Sequence, residues 1–197
     1  MTRWQQFYLE DERIQSTPPS ACARRAVEVF SQHGKRVILD LGCGVGRDTF
    51  HLAAAGLSVV GLDAAVSGLV IAKRLKKSGQ GDIVWMKADA RALPCADAAF
   101  EGVYCFGLLH EFTGEAWEDD VRNTMNEVHR VLAAQGVLVM AVLSGDPEAG
   151  LPHVRLFTEA MFDKATRSFH PVEKAEYDDI GCTGRKNYRV WRGVFVK

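Results

Sequence analysis

The sequence predicts a doubly wound α/β domain: five parallel strands with helices on both faces, extended by a C-terminal antiparallel strand pair. Three observations carry that expectation. From residue 36 onward, short apolar runs alternate with stretches of helical period. The runs are continuous rather than alternating, which marks strands buried on both faces. The first run ends in an acid and a glycine-rich turn, Asp40-Leu41-Gly42-Cys43-Gly44-Val45-Gly46. Helices between such strands imply right-handed crossovers and a parallel sheet.

The elements follow in order. Residues 1–17 read as an irregular arm, with Trp4, Phe7 and Tyr8 among polar neighbours. Pro18-Pro19-Ser20 opens a helix, with proline in its first turn. Cys22, Ala26, Val29 and Phe30 share a face of it and Gly34 ends it. The strand runs are 37–39, 59–62, 83–86, 103–106 and 137–143. Val66, Leu69, Val70 and Lys73 share one helical face, and Val121, Met125, Val128 and Leu132 another. Residues 156–169 read as a last helix, and 172–180 and 188–196 as two strands. The turn-rich segment 181–187 between them is too short for a parallel crossover, so that pair is antiparallel. The whole chain, 1–197, forms one domain: an arm or lid (1–17), a ligand-binding core (18–144), and the last helix with the terminal strand pair (145–197).

Composition narrows the partners. An apolar fraction of 47% and a charged fraction of 25% suit a globular chain with one core. With 24 basic and 25 acidic residues the net charge is −1, so no global basic field draws nucleic acid or an anionic membrane. Lys73, Arg74, Lys76 and Lys77 close a helix, where cations complement its C-terminus. Cys22, Cys43, Cys95, Cys105 and Cys182 are scattered without a CxxC pair, which argues against a disulfide framework or a structural metal site. No apolar run approaches the ~20 residues of a membrane span, and the N-terminus lacks a signal-peptide core. A cytoplasmic monomer or homodimer is expected.

The chemistry starts at the glycine turn. A dinucleotide fingerprint needs a third glycine, but the position is Arg47 counted from Gly42 and Thr49 counted from Gly44. No glycine is followed by the Gly-Lys-Ser/Thr of a phosphate loop. The ligand therefore lacks a phosphate that must be cradled. Asp63 closes the second strand, 21 residues beyond Gly42. It is either an acceptor for ribose hydroxyls or a helix-start acid. Asp89, in Lys87-Ala88-Asp89-Ala90, is an acceptor for an exocyclic amine or a turn acid.

In this order, the three points resemble the class I S-adenosylmethionine-dependent methyltransferase family over roughly residues 19–144. Asp40 to Gly46 is similar to its first motif, and Val59-Val60-Gly61-Leu62-Asp63 to the next. Ala88-Asp89-Ala90, Leu93-Pro94 and Phe100-Glu101-Gly102-Val103-Tyr104 resemble the segment that brackets an adenine. Val131-Leu132 and Gly136-Val137-Leu138 resemble the entry to the fifth strand. The resemblance implies a Rossmann-like fold and S-adenosylmethionine as cofactor. It carries over a cofactor set of Asp40, Gly42, Cys43, Gly44, Gly46, Arg47, Asp63, Ala64, Asp89, Ala90 and Phe106. The turn would lie along the methionine half, Asp63 at the ribose and Asp89 at the adenine amine. Arg47 would either neutralise the cofactor carboxylate or be an exposed helix-start residue.

A sulfonium methyl is already electrophilic, so the expected reaction is an in-line displacement in which alignment supplies much of the rate. A base is needed only for an acceptor protonated at neutral pH. His110 and Glu111, just beyond the fourth strand, are the candidates for proton handling; the alternative is a helix-start polar pair. Trp4, Phe7 and Tyr8 form a substrate lid or a surface-packed arm. His153 and Arg155 are further candidates for substrate contact. The Asp/Asn-Pro-Pro-aromatic motif of nucleic-acid aminomethylases is missing after the fourth strand, which favours a small-molecule acceptor. The layout, Pro18-Pro19-Ser20 and Gly46-Arg47 resemble the tellurite-resistance and thiopurine branch. A non-catalytic cofactor-binding regulator on the same fold is the competing function.

Overall fold

The computed structural model describes residues 3–10, 14, 16–149, 153–181 and 186–197. Its strands are β1 (Val37–Leu41), β2 (Ser58–Asp63), β3 (Ile83–Lys87), β4 (Phe100–Phe106), β5 (Leu132–Leu143), β6 (His170–Ile180) and β7 (Asn187–Val196). They form a single sheet in the order β3-β2-β1-β4-β5-β7-β6. The first five pair in parallel, β7 runs antiparallel to β5, and β6 antiparallel to β7. The chain winds outward from β1 to β3, then returns to place β4 on the other side of β1. That reversal opens a crevice at the carboxyl ends of β1 and β4, where open α/β sheets bind ligands.

Neighbouring residues along the central strands face opposite layers. Ile38, Tyr104, Val137, Val139 and Ala141 pack with Phe30 of α2 (Ala21–Gln32) and Leu52 of α3 (Arg47–Ala54). Leu39, Val103, Cys105, Leu138 and Met140 pack with Met125 and Val128 of α5 (Trp117–Val131) and Phe162 of α6 (Glu159–Thr166). Both sides of each strand are therefore apolar, which is why the runs are continuous. The edge strand β3 departs from this: Val84 is 58% exposed. In α5, Glu118, Asp119 and Asp120 occupy the first turn and His129 and Arg130 the last, complementing the helix dipole.

Several elements differ from the sequence reading. The arm is not irregular: α1 spans Arg3–Glu10. Trp4, Phe7 and Tyr8 stand at i, i+3 and i+4, on one helical face. The two prolines precede α2 rather than starting it. Ser20 is its N-cap, accepting from Ala23 N at 2.9 Å. In α4 (Val66–Leu75) the buried residues are Gly68, Leu69, Ile71 and Ala72, whereas Val66 and Val70 are 41% and 60% exposed. Leu132 begins β5 instead of ending a helix. The last helix starts only at Glu159, because Phe157 N bonds Leu143 O at 2.8 Å and Thr158 is the N-cap. Cys182 and most of the β6–β7 turn lie outside the described residues. No helix among the described residues is long and apolar enough to cross a membrane.

Candidate functional site

A cavity of about 680 Å³ opens at the carboxyl ends of the parallel strands, a size typical of small-molecule sites. One half lies along the glycine turn. Gly42 N and Cys43 N both donate to Leu62 O, at 2.8 and 3.0 Å, tying the turn to β2. Gly44 and Gly46 have φ of +55° and +83°, a region that L side chains rarely adopt. Gly46 then starts α3.

Three acids at or just beyond strand ends meet this half. Asp40, at the end of β1, is only 3% exposed. Thr49 Oγ1 donates to its Oδ2 at 2.5 Å, and no donor among the described residues reaches Oδ1. Burial pushes the Asp40 carboxyl up to about 7. Asp63 accepts from Gly44 N at 2.8 Å and from Ala65 N at 2.7 Å. A carboxylate has roughly four acceptor sites, so Asp63 keeps capacity for further donors. It thus serves the helix start while still facing the cavity, beside Ala64. Burial raises its carboxyl above the ordinary range. Asp89 is clasped by Arg91, with Nε at 2.9 Å and Nη2 at 2.6 Å, and that guanidinium holds it below the ordinary range. Ala88, Ala90, Leu108 and Phe112 line the cavity near this pair.

Arg47 does not point a bare charge at the cavity. Its Nε and Nη2 donate to the two oxygens of Asp48, each at 2.9 Å, and its guanidinium lies 5.1 Å over the Phe106 ring. Asp48 also accepts from Ser20 N at 2.9 Å, Ser20 Oγ at 2.8 Å and Tyr104 Oη at 2.7 Å. Burial alone would raise Asp48, but the Arg47 guanidinium outweighs it and holds the carboxyl low. Asp179 of β6 accepts from Ala21 N and Cys22 N at 2.8 and 2.9 Å, and from Tyr177 Oη at 2.8 Å. These two acids fix the start of α2. Sequence reasoning missed both, although Asp48 directly follows Arg47.

The far half holds the polar pair. His110 and Glu111 sit in a 3₁₀ turn after β4. Leu143 N donates to His110 Nδ1 at 3.1 Å, so the neutral ring carries its proton on Nε2. Burial, with a contribution from Arg3, pushes His110 down to about 3. Its Nε2 lies 3.6 Å from Glu111 Oε1. Glu111 Oε2 accepts from Trp4 Nε1 at 2.8 Å and from Arg3. Burial raises the Glu111 carboxyl despite those donors. His153 lines the cavity; Arg155 instead stacks 4.4 Å over Trp117, and its N donates to His110 O at 2.7 Å.

α1 roofs the cavity. Trp4 lies 5.1 Å from the Phe7 ring and 5.2 Å from the Tyr8 ring, and all three line the cavity. Phe7 and Tyr8 pack against Ile14, Val45 and Ile71, and Ser67 Oγ donates to Gln5 O at 2.9 Å. Tyr8 uses the missing side chain of Gly44: a Cβ there would stand 2.6 Å from its hydroxyl. Tyr188 of β7 also lines the cavity; no sequence signal singled it out.

The residues present suit S-adenosylmethionine. A buried carboxylate with an open oxygen matches an ammonium, the strand-end acid at Asp63 keeps free acceptor capacity, and the turn holds no phosphate cradle. Residues 38–136 match the family model for a methyltransferase domain. The chain is 34% identical over 127 residues to demethylmenaquinone methyltransferase of Thermus thermophilus, covering 64% of this chain and 55% of that protein. It is 31% identical over 152 residues to the O-methyltransferase resE of Aspergillus sclerotiorum, covering 74% and 55%. The chain thus spans little more than half the length of these relatives. Among solved structures, a SAM-dependent methyltransferase of Methanosarcina mazei superposes with a TM-score of 0.71 at 19% identity, covering 86% of this chain and 96% of that one. The 1,6-didemethyltoxoflavin N1-methyltransferase of Burkholderia thailandensis, solved with S-adenosylhomocysteine, gives 0.67 at 22% identity, covering 90% and 78%. These two likenesses show the fold. With a methyltransferase-domain match running from β1 into β5 on this sheet order, the chain belongs to the class I S-adenosylmethionine-dependent methyltransferase family.

Proposed function

We propose that the protein transfers a methyl group from S-adenosylmethionine to a small-molecule acceptor by in-line displacement, releasing S-adenosylhomocysteine. The observation that carries this reading is one continuous cavity, which joins the glycine-turn half to an aromatic far half beneath α1. Asp40 Oδ1 would receive the methionine ammonium, Asp63 the ribose hydroxyls, and the slot beside Asp89, Ala90, Leu108 and Phe112 the adenine. Arg47 backs Phe106 between the halves. Bound there, the cofactor supplies an electrophilic methyl. The chain's own work is alignment, a contribution on the order of 7–11 kcal/mol in well-oriented reactions, and exclusion of water by the α1 roof.

The roof and the ion-paired state of Arg3, Arg47 and Arg91 favour a small acceptor over a nucleic-acid strand. A net charge of −1 agrees with that. The test is release of S-adenosylhomocysteine against panels of thiols, metalloid oxyanions, phenols and amines, alongside calorimetric titration of the cofactor. Heat of binding with no turnover on any panel would favour the cofactor-binding regulator. No binding at millimolar cofactor would end both readings.

A further inference from the structure

Resting on that reading, we infer that the acceptor atom is a hydroxyl oxygen on a flat aromatic ring, seated between His110 Nε2 and Glu111 Oε1, with Glu111 as the catalytic proton acceptor. The two histidine nitrogens are not equivalent. Nδ1 already accepts the Leu143 N–H, so Nε2 is a donor. The two Glu111 oxygens are not equivalent either. Oε2 takes both Arg3 and Trp4, whereas Oε1 faces Nε2 at 3.6 Å, beyond a hydrogen bond. One donor and one open acceptor therefore stand side by side.

The other acids that line the cavity do not compete for this task. Asp40, Asp63 and Asp89 belong to the glycine-turn half, and Asp48 and Asp179 are occupied by protein donors. Each acceptor class can be held against the remaining pair. A hydroxyl both accepts and donates, so it satisfies Nε2–H and Oε1 together. An ammonium offers no lone pair to Nε2–H. An aromatic amine has its lone pair drawn into the ring and accepts poorly. A carboxylate brings no proton and sets its charge against Glu111. A thiol is weak in both directions. The roof over this pair is Trp4, whose indole bonds Glu111, with the Phe7 ring 5.1 Å from it, and such aromatic surface suits a planar ring.

The protonation behaviour agrees with the geometry. Burial raises the Glu111 carboxyl, which strengthens it as a base, while His110 stays neutral and cannot take the proton itself. In the transfer, the hydroxyl proton passes to Glu111 Oε1 and the oxygen bonds the methyl carbon. The carbon–sulfur bond breaks with its electron pair left on sulfur. Arg3 and Trp4 are positioning residues: by holding Oε2 from the roof, they leave Oε1 to the acceptor.

The test begins with calorimetry on the full chain loaded with S-adenosylhomocysteine, titrated with 2-naphthol, 2-naphthylamine, 2-naphthalenethiol, 2-naphthoate and naphthalene. 2-Naphthol should bind at least about tenfold more tightly than the others. Tighter binding of the amine, thiol or carboxylate overturns the assignment, as does no binding of 2-naphthol at millimolar concentration. This arm needs no variant. Failure of S-adenosylhomocysteine itself to bind would instead overturn the methyl-transfer reading, and this inference with it. With S-adenosylmethionine, Glu111→Gln should lower kcat on 2-naphthol by about 100-fold, with KM changed less. On 4-nitrophenol at pH 8, where the acceptor is already ionised, the loss should shrink to within about tenfold, because no base is then needed. Equal losses on both phenols would mark Glu111 as merely structural. Binding of 2-naphthol without its methylation would likewise refute the acceptor atom.

Discussion

Replacing Asp40 by Asn should improve the fold and cripple the site. Burial raises the Asp40 carboxyl from an ordinary 3.8 to about 7. A folded-state value above the unfolded one means stability is full below about pH 4 and is lost as pH rises through about 7. Each tenfold in proton affinity is about 1.4 kcal/mol, so ionised Asp40 costs the unliganded protein roughly 4 kcal/mol at pH 8. Asn keeps the Thr49 acceptor and sheds that charge. Asp40→Asn should therefore melt roughly 8–16 °C higher at pH 8, from 2–4 °C per kcal/mol for a chain of this size. The gain should vanish near pH 4. Cofactor binding should move the other way. Loss of a charged acceptor facing an ammonium costs about 1.5–3 kcal/mol, on the order of 10–100-fold in affinity. In the native protein, affinity for S-adenosylhomocysteine should fall about tenfold from pH 8 to pH 6, as Asp40 takes up a proton, and be flat over that range in the variant. Thermal melts and calorimetry at pH 4, 6 and 8 measure all of this. Unchanged affinity in the variant, or a lower melting temperature at pH 8, would refute the reasoning.

Three further outcomes are expected. Gly44→Ala places a methyl group 2.6 Å from the Tyr8 hydroxyl at a φ of +55°, so amide exchange in residues 3–10 should accelerate; unchanged exchange would mean Tyr8 does not anchor α1. Asp48→Asn leaves the buried Arg47 charge without its partner and should destabilise by about 3–5 kcal/mol in denaturant titration, whereas a loss under about 1 kcal/mol would show the network is dispensable. Deleting residues 1–15 should keep S-adenosylhomocysteine affinity within about tenfold, or ~1.4 kcal/mol, while lowering turnover more than tenfold; an unfolded truncation would show that α1 and Ile14 belong to the core.

The sequence shows what depends on neighbours in the chain, and hides what depends on distant partners. β1, β4 and β5 were legible because both of their faces are buried. The acids at 40, 63 and 89 were legible because each lies at or just beyond the carboxyl end of a strand. α1 was not, because its eight residues bury none completely; only the spacing of Trp4, Phe7 and Tyr8 betrayed it. The buried face of α4 was misread because Gly68 and Ala72 carry it by being small, which hydrophobicity does not rank. The neutral, Nε2-protonated state of His110 depends on Leu143, and the Asp48 cluster on Ser20 and Tyr104. No local pattern encodes such pairings.

The sheet order has a consequence for synthesis. β5 is paired by β4 on one side and by β7 on the other. While the chain emerges from the ribosome, the apolar β5 edge from Val137 to Leu143 has no partner until residues 187–196 are available, and an open apolar edge is a template for misassociation. The start of α2, made early, likewise waits for Asp179. Substitutions that slow formation of the β6–β7 hairpin should therefore reduce the yield of folded protein in cells more than they lower its melting temperature.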